Sequence, residues 1–438
     1  MGHCLRLTLA AGLIALSLPV VISAQTIINP NGSTPFIISS PGSYVLGGDV
    51  SMSTHGDCIR IQAHNVTLDL GGHRIRGTTA GGGIGVRQTA GHGARVLNGW
   101  AASFGGSGIV LLDHATVENV TVRENRGSGV QCGVGAHVFD VTALGNRGWG
   151  IQTAAQSLVE SCVAVGNNLN GDKAGISVLS ASEVRGCIAN ANSPDVPGAA
   201  FGIVAYTECT VTGNTADDNV AHTANHTGAG IWTDSGCTVT GNTCRGNIGR
   251  GDEAYGGRGI GIHVGDDSTV IGNTCQQSSI AETNGMAIGI QSGDRCMITR
   301  NVCSYARSTG TGGDAAGIEA GARCLIRGNL CSDNDGNSAD GATYGIHVGA
   351  DVWGGFDRVE GNHCVGNDAY YAHGIHLEGT EITLPNNSTI DNTGTLSSVG
   401  VYMDMGRDHY YGDNVSTDGY ATSTGNDRGS GDHAAVTF

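Results

Sequence analysis

The feature that most constrains this chain is a glycine that opens a Gly-Ile or Gly-Val step over and over. It stands at Gly108, Gly129, Gly150, Gly175, Gly202, Gly230, Gly261, Gly289, Gly317, Gly345, Gly374 and Gly400, with a spacing of 21 residues at first that settles near 28. Nine positions after the glycine comes a second aliphatic series: Val117, Val138, Val159, Val184, Val211, Val239, Val270, Ile298 and Ile326. An asparagine follows three or four residues later, at Asn214, Asn242, Asn273, Asn301, Asn329 and Asn362. Stretches such as GCTVTGNTCRGN (236–247) and RCLIRGNLCSDN (323–334) show the same Gly-Asn turn between two cysteines seven apart.

A period of this size, with short alternating segments and no helical spacing, leaves two repeat architectures. The leucine-rich consensus is absent. The other is a β-solenoid, in which each repeat is one coil and Gly or Gly-Asn bends carry the chain round its corners. Coils stacked at ~4.8 Å place like residues over like, so Ile packs on Ile and a buried Asn column hydrogen-bonds along the axis as an amide ladder. Repetition of the motif is then a requirement of stacking. Cys244, Cys275, Cys303, Cys331 and Cys364 fall in one inward column. Cys209, Cys237, Cys296 and Cys324 fall in another, with Ser268 in the gap. No Cys pair has metal-ligand spacing, and small buried thiols packed as hydrophobes are expected rather than a disulfide ladder.

Composition agrees with a narrow core of small side chains: 74 of 438 residues are Gly, and aromatic residues make up 5%. The formal net charge of −17, with Lys173 the only lysine, repels nucleic acid and anionic lipid. Residues 1–24 read as a signal peptide, with Arg6 before the apolar run and Ser23-Ala24 at the cleavage site, so a secreted or extracellular protein without a membrane span is expected. The remaining organisation reads as an N-terminal cap segment (25–57), a solenoid (58–413) and a C-terminal cap or tail (414–438).

The stretches PGSYVLGGDV (41–50), DCIRIQAHNVTLDLGGHRIRG (57–77) and ARVLNGWAASFGGSGI (94–109), followed by the repeats, resemble secreted right-handed parallel β-helix proteins. These form the pectin-lyase-like superfamily with PbH1-type repeats. The resemblance implies an all-β fold, a single-stranded right-handed parallel β-helix of roughly 12–14 coils. Its activity is left open, because the superfamily holds lyases, hydrolases, epimerases, tailspikes and adhesins. The hydrolase motif order fails here: NTADDN (214–219) interrupts the first element and GHG (91–93) comes too early. The epimerase DPH motif is absent.

The residue after each buried Ile should point outward. That column changes from bland to aromatic, imidazole and carboxylate: Gln131, Gln152, Ser177, Val204, Trp232, His263, Gln291, Glu319, His347, His376 and Tyr402. Two residues further on stand Asp234, Glu378 and Asp404. Flat rings beside hydrogen-bonding groups suit an extended carbohydrate, so Trp232, Asp234, His263, Gln291, His376 and Tyr402 are the candidate binding residues for a polysaccharide or cell-surface glycan. If the protein is instead a polysaccharide lyase or glycoside hydrolase, Glu319, His347, Glu378 and Asp404 are the candidate catalytic groups, as paired carboxylates or a Glu–His acid–base pair. A structural or adhesive surface role is the third reading. No cofactor is expected, with calcium the one ion left possible. His363, His373 and His376 have weak zinc spacing, and Asp333-Asn334-Asp335-Gly336-Asn337 begins like a calcium loop but lacks its closing Glu.

Overall fold

The computed structural model describes residues 25–438 except 169, 223–224, 251–256, 281–284, 310–311, 337–340, 350–356, 379–381, 405–409, 413, 417–419, 424–427, 430–432 and 435–438; at 404, 410–412, 420–423, 428–429 and 433–434 it describes the backbone alone. The signal-peptide reading of residues 1–24 therefore lies outside the described residues. The chain winds as a β-solenoid of about 13 turns, and no helix occurs among the described residues. None is therefore long and apolar enough to cross a membrane.

Every named strand pairing is parallel, and the registers follow the glycine alignment. Ile203, Ile231, Ile262, Ile290, Ile318, Ile346 and Ile375 lie one above the next. The valine series from Val117 to Ile326 stacks in the same way on a second sheet. Both columns are completely buried. Each Ile withdrawn from water contributes roughly 2–3 kcal/mol, and no large side chain is needed to fill so thin an interior.

The Gly-Asn turn does two jobs. Its first residue sits in the left-handed region, at φ 64 for Gly241, 63 for Gly272 and 62 for Gly328, where glycine carries no Cβ penalty. Its second residue turns inward. Asn273 donates from its backbone N (2.8 Å) and its Nδ2 (3.0 Å) to Oδ1 of Asn301, and also from Nδ2 to the Val239 carbonyl (2.9 Å). Its own Oδ1 accepts the same pair of bonds from Asn242. The ladder runs unbroken from Asn214 to Asn414. A second ladder, Asn125–Asn146–Asn167–Asn192–Asn219–Asn247, occupies another corner.

The Gly and Cys columns explain each other. A Cβ placed on Gly261, Gly289 or Gly317 would lie 2.5–2.6 Å from the carbonyl oxygen of the next glycine and 2.8–2.9 Å from the Cβ of Cys275, Cys303 or Cys331. Only a hydrogen fits on one side and only a small side chain on the other. All thirteen cysteines from Cys58 to Cys364 are buried free thiols, and burial pushes Cys132 up to about 12.

Candidate functional site

Seven neighbouring strand segments carry the outward column: Gly228–Thr233, Arg258–Val264, Met286–Ser292, Asp314–Ala320, Ala342–Val348, Asp368–Glu378 and Thr393–Asp404. In-register pairing places Trp232, His263, Gln291, Glu319, His347, His376 and Tyr402 on consecutive rungs. Trp232 stacks on His263 with ring centroids 3.7 Å apart. The chain of contacts then runs through hydrogen bonds: His263 Nδ1 lies 3.1 Å from Gln291 Oε1, and Gln291 Nε2 donates to Glu319 Oε2 at 2.9 Å. At the far end the His347 and His376 rings stack 5.0 Å apart, and Tyr402 meets His376 edge-on at 4.9 Å.

The strip is less open than an outward column of a solenoid should be. Gln291 and His376 are each only 7% exposed. The cause is a second column that the sequence reading missed, the residue just before each glycine: Phe201, Ala229, Ile260, Ile288, Ala316, Tyr344 and His373. Tyr344 stacks on His347 at 4.7 Å, and His373 meets His376 at 5.1 Å. Residues three apart on a straight strand would be ~10 Å apart and on opposite faces. The chain therefore bends at Gly345 and Gly374, and both columns share one side. The bend brings His373 and His376 together. The same alignment on glycine, read one residue earlier, would have found this wall.

Its middle is apolar, with Ala229, Ile260 and Ile288 packed together against Phe201, Trp232 and Met286. Its ends are aromatic. At one end a hollow of about 210 Å³ is lined by Trp149, Phe201, Tyr206 and Trp232, with Asp172, Lys173 and Asp234 among its polar groups. Lys173 Nζ sits 4.2 Å from the Trp149 ring centroid, and Asp234 and Tyr206 are exposed. At the other end Tyr344, His347, His373, His376 and Tyr402 form a cluster, with His373 stacked on Tyr402 at 4.9 Å.

Burial sets the protonation of several of these groups. Desolvation holds His263 down to about 4 against the partly compensating Gln291 hydrogen bond, and likewise holds His373 down to about 4. Burial first, then the charges of Asp314, Glu378 and Glu319, pushes the Tyr344 phenol up to about 12. Asp314 is raised by burial even though its Oδ1 accepts the Ala342 N–H at 2.8 Å.

Of the candidate catalytic groups, His347 and Glu378 meet, with Nε2 3.3 Å from Oε1. Glu319 is the next rung to His347, but the hydrogen bond it makes is to Gln291. Asp404 pairs with Glu378 in register, and its side chain lies outside the described residues. His363 stands on the cysteine-bearing strand His363–Val365, between Leu330 and Ser388, away from the other two histidines of the zinc spacing. In the calcium-like stretch, Asn334 turns inward and bonds Asn367 at 2.8 Å while Asp335 pairs with Arg307; Asn337 lies outside the described residues.

Residues 82–244 match a family model described as a right handed beta helix region. Over that stretch the chain is similar to this family, and its fold is that of a parallel β-helix. No curated protein sequence matches this β-helix. Among solved structures, the A-module of the mannuronan C-5 epimerase AlgE6 of Azotobacter vinelandii is 16% identical, over 88% of this chain and 91% of that one, at a TM-score of 0.40. A double-mutant tailspike protein of E. coli bacteriophage HK620 is 14% identical, over 89% of this chain and 65% of that one, also at 0.40. Likeness at this level does not reach the side chains of the β-helix's strip.

Proposed function

We propose that this exported β-helix binds an extended polysaccharide or cell-surface glycan along the two-walled strip from the Trp149–Trp232 hollow to Tyr402. The observation that carries this reading is the hollow itself, which four aromatic rings line together with the polar groups of Asp172, Lys173 and Asp234. Sugar rings present apolar C–H faces and hydroxyl edges, and a site of this make-up serves both. From Trp232 to Tyr402 the six coil steps span ~29 Å, long enough for an oligomer rather than a single sugar. The net charge of −17 favours a neutral polymer over a polyanion.

The test is a glycan array probed with the mature protein, followed by titration of any hit with Trp fluorescence as the signal. Binding that falls in Trp232→Ala and Tyr206→Ala supports the proposal. Silence across the array, or binding that both variants keep in full, refutes it. A lyase or hydrolase is the second reading, favoured by the His347–Glu378 contact with Asp404 on the next rung. New reducing ends or unsaturated products that vanish in Glu378→Gln would establish it.

A further inference from the structure

We propose that His347, His376 and Glu378 form a binding site for one late first-row divalent cation, of which zinc is the natural probe. This goes beyond glycan binding and does not depend on it. The three residues come from two adjacent coils. His347 and His376 are register partners, so their imidazoles are stacked by the same pairing that stacks the isoleucines, and Glu378 lies two residues after His376 on the same strand face. One ligand atom from each lies within 4.8 Å of the others.

The two separations from Glu378 suit a tetrahedral ion, and the ligand atoms of the two imidazoles lie within 4.8 Å of each other. Ligands held 2.0–2.1 Å from a tetrahedral zinc are about 3.3 Å apart. His347 Nε2 and Glu378 Oε1 are 3.3 Å apart, and His376 Nε2 and the same oxygen are 4.0 Å apart. Rotation of a Glu side chain, which is 38% exposed here, closes the longer gap. The donor set of two imidazoles and one carboxylate favours zinc and its neighbours over calcium or magnesium, which take oxygen ligands. Three protein ligands leave a fourth position for water, and Glu378 supplies the solvent-facing side from which an ion enters.

Two further observations point the same way. Nδ1 of His347 is buried with no hydrogen-bond partner among the described residues, and the polar contact this ring makes is the one from Nε2 to Glu378 Oε1, the other proposed ligand, at 3.3 Å. Tyr344, stacked on His347 and 5.2 Å from His376, and Tyr402, edge-on to His376, brace the two imidazoles, so little side-chain freedom is lost on binding.

The experiment is calorimetric titration of the metal-stripped mature protein with ZnCl₂, with CaCl₂ and MgCl₂ in parallel, followed by Co²⁺ absorption spectra. One equivalent of zinc should bind, without comparable calcium or magnesium binding. His347→Ala and His376→Ala should each weaken it by more than the ~10–100-fold that loss of a supporting partner costs. Glu378→Gln, the mildest change in volume, should weaken it while leaving the circular dichroism spectrum unaltered, so that misfolding is not mistaken for ligand loss. His363→Ala should bind like the parent. The Co²⁺ spectrum should lack a thiolate charge-transfer band. Absence of stoichiometric zinc binding, full binding retained by a folded Glu378→Gln together with His376→Ala, or a thiolate band showing that cysteines hold the metal would each overturn the assignment. None of these readouts involves a glycan.

Discussion

The inside and the outside of the same strands obey different rules. Along the interior, the isoleucine, valine and asparagine columns repeat one residue type for coil after coil. Along the outer strip, only one residue on from each isoleucine, no two successive rungs from Trp232 to Glu319 are alike, yet each touches the next. A stack needs self-complementary residues where coils meet in the dark, and Ile on Ile or Asn on Asn provides that. Variety on the outside is not required by stacking, so that is where the sequence is free to encode a surface. Changes to the interior should therefore cost stability and spare binding, and changes to the strip should do the reverse.

The largest effect is expected from Ile290→Ala, which removes a fully buried side chain between two identical neighbours. A loss of ~3–4 kcal/mol should appear as a lower urea midpoint. Asn273→Ala should cost ~2–3 kcal/mol, because it removes the oxygen that accepts both the backbone N–H and one Nδ2 hydrogen of buried Asn242. Hydrogen exchange should then quicken in the neighbouring coils before the distant ones, since each coil touches only its neighbours.

Acid gives a graded effect. His263 is held at about 4 in the fold against 6.5 unfolded, so between these values the unfolded chain binds more protons. Stability should be at its full value above pH ~6.5, fall as the pH drops towards 4 by up to ~3 kcal/mol, and level off below. Urea midpoints measured across pH 7 to 4 check this, and His263→Gln should flatten the slope. Smallest in stability is Trp232→Ala, whose ring is half-buried at the strip; its mark should be a roughly tenfold weaker glycan complex, or ~1.4 kcal/mol, with a midpoint close to the parent's. Should Trp232→Ala destabilise as much as Ile290→Ala, the contrast between inside and outside fails.

The fold was legible in the sequence because stacking turns register into spacing. The alignment on glycine predicts which Ile lies over which, and the structure has the same pairs from Ile109 to Val401. The order of rungs on the strip was legible for the same reason. Its depth was not. A two-residue period has no term for the bend at Gly345 or Gly374, so Tyr344 and His373 went unnoticed as a wall, and the meeting of His347, His376 and Glu378 was hidden with them. Pattern gives position along the axis; the angle at a corner decides what side chains meet across it.

The seating of each glycine against the carbonyl oxygen of the glycine in the following coil also fixes how this molecule is able to change in length. Loss or gain of a single residue between two such glycines would slide an entire rung out of step with those on either side, putting a Cβ where only hydrogen fits. Excision or duplication of a complete winding would leave every contact in kind. Growth and shrinkage of the rod are thereby quantised, and the tolerated insertions should fall in the excursions between strands, where no neighbour above or below keeps count.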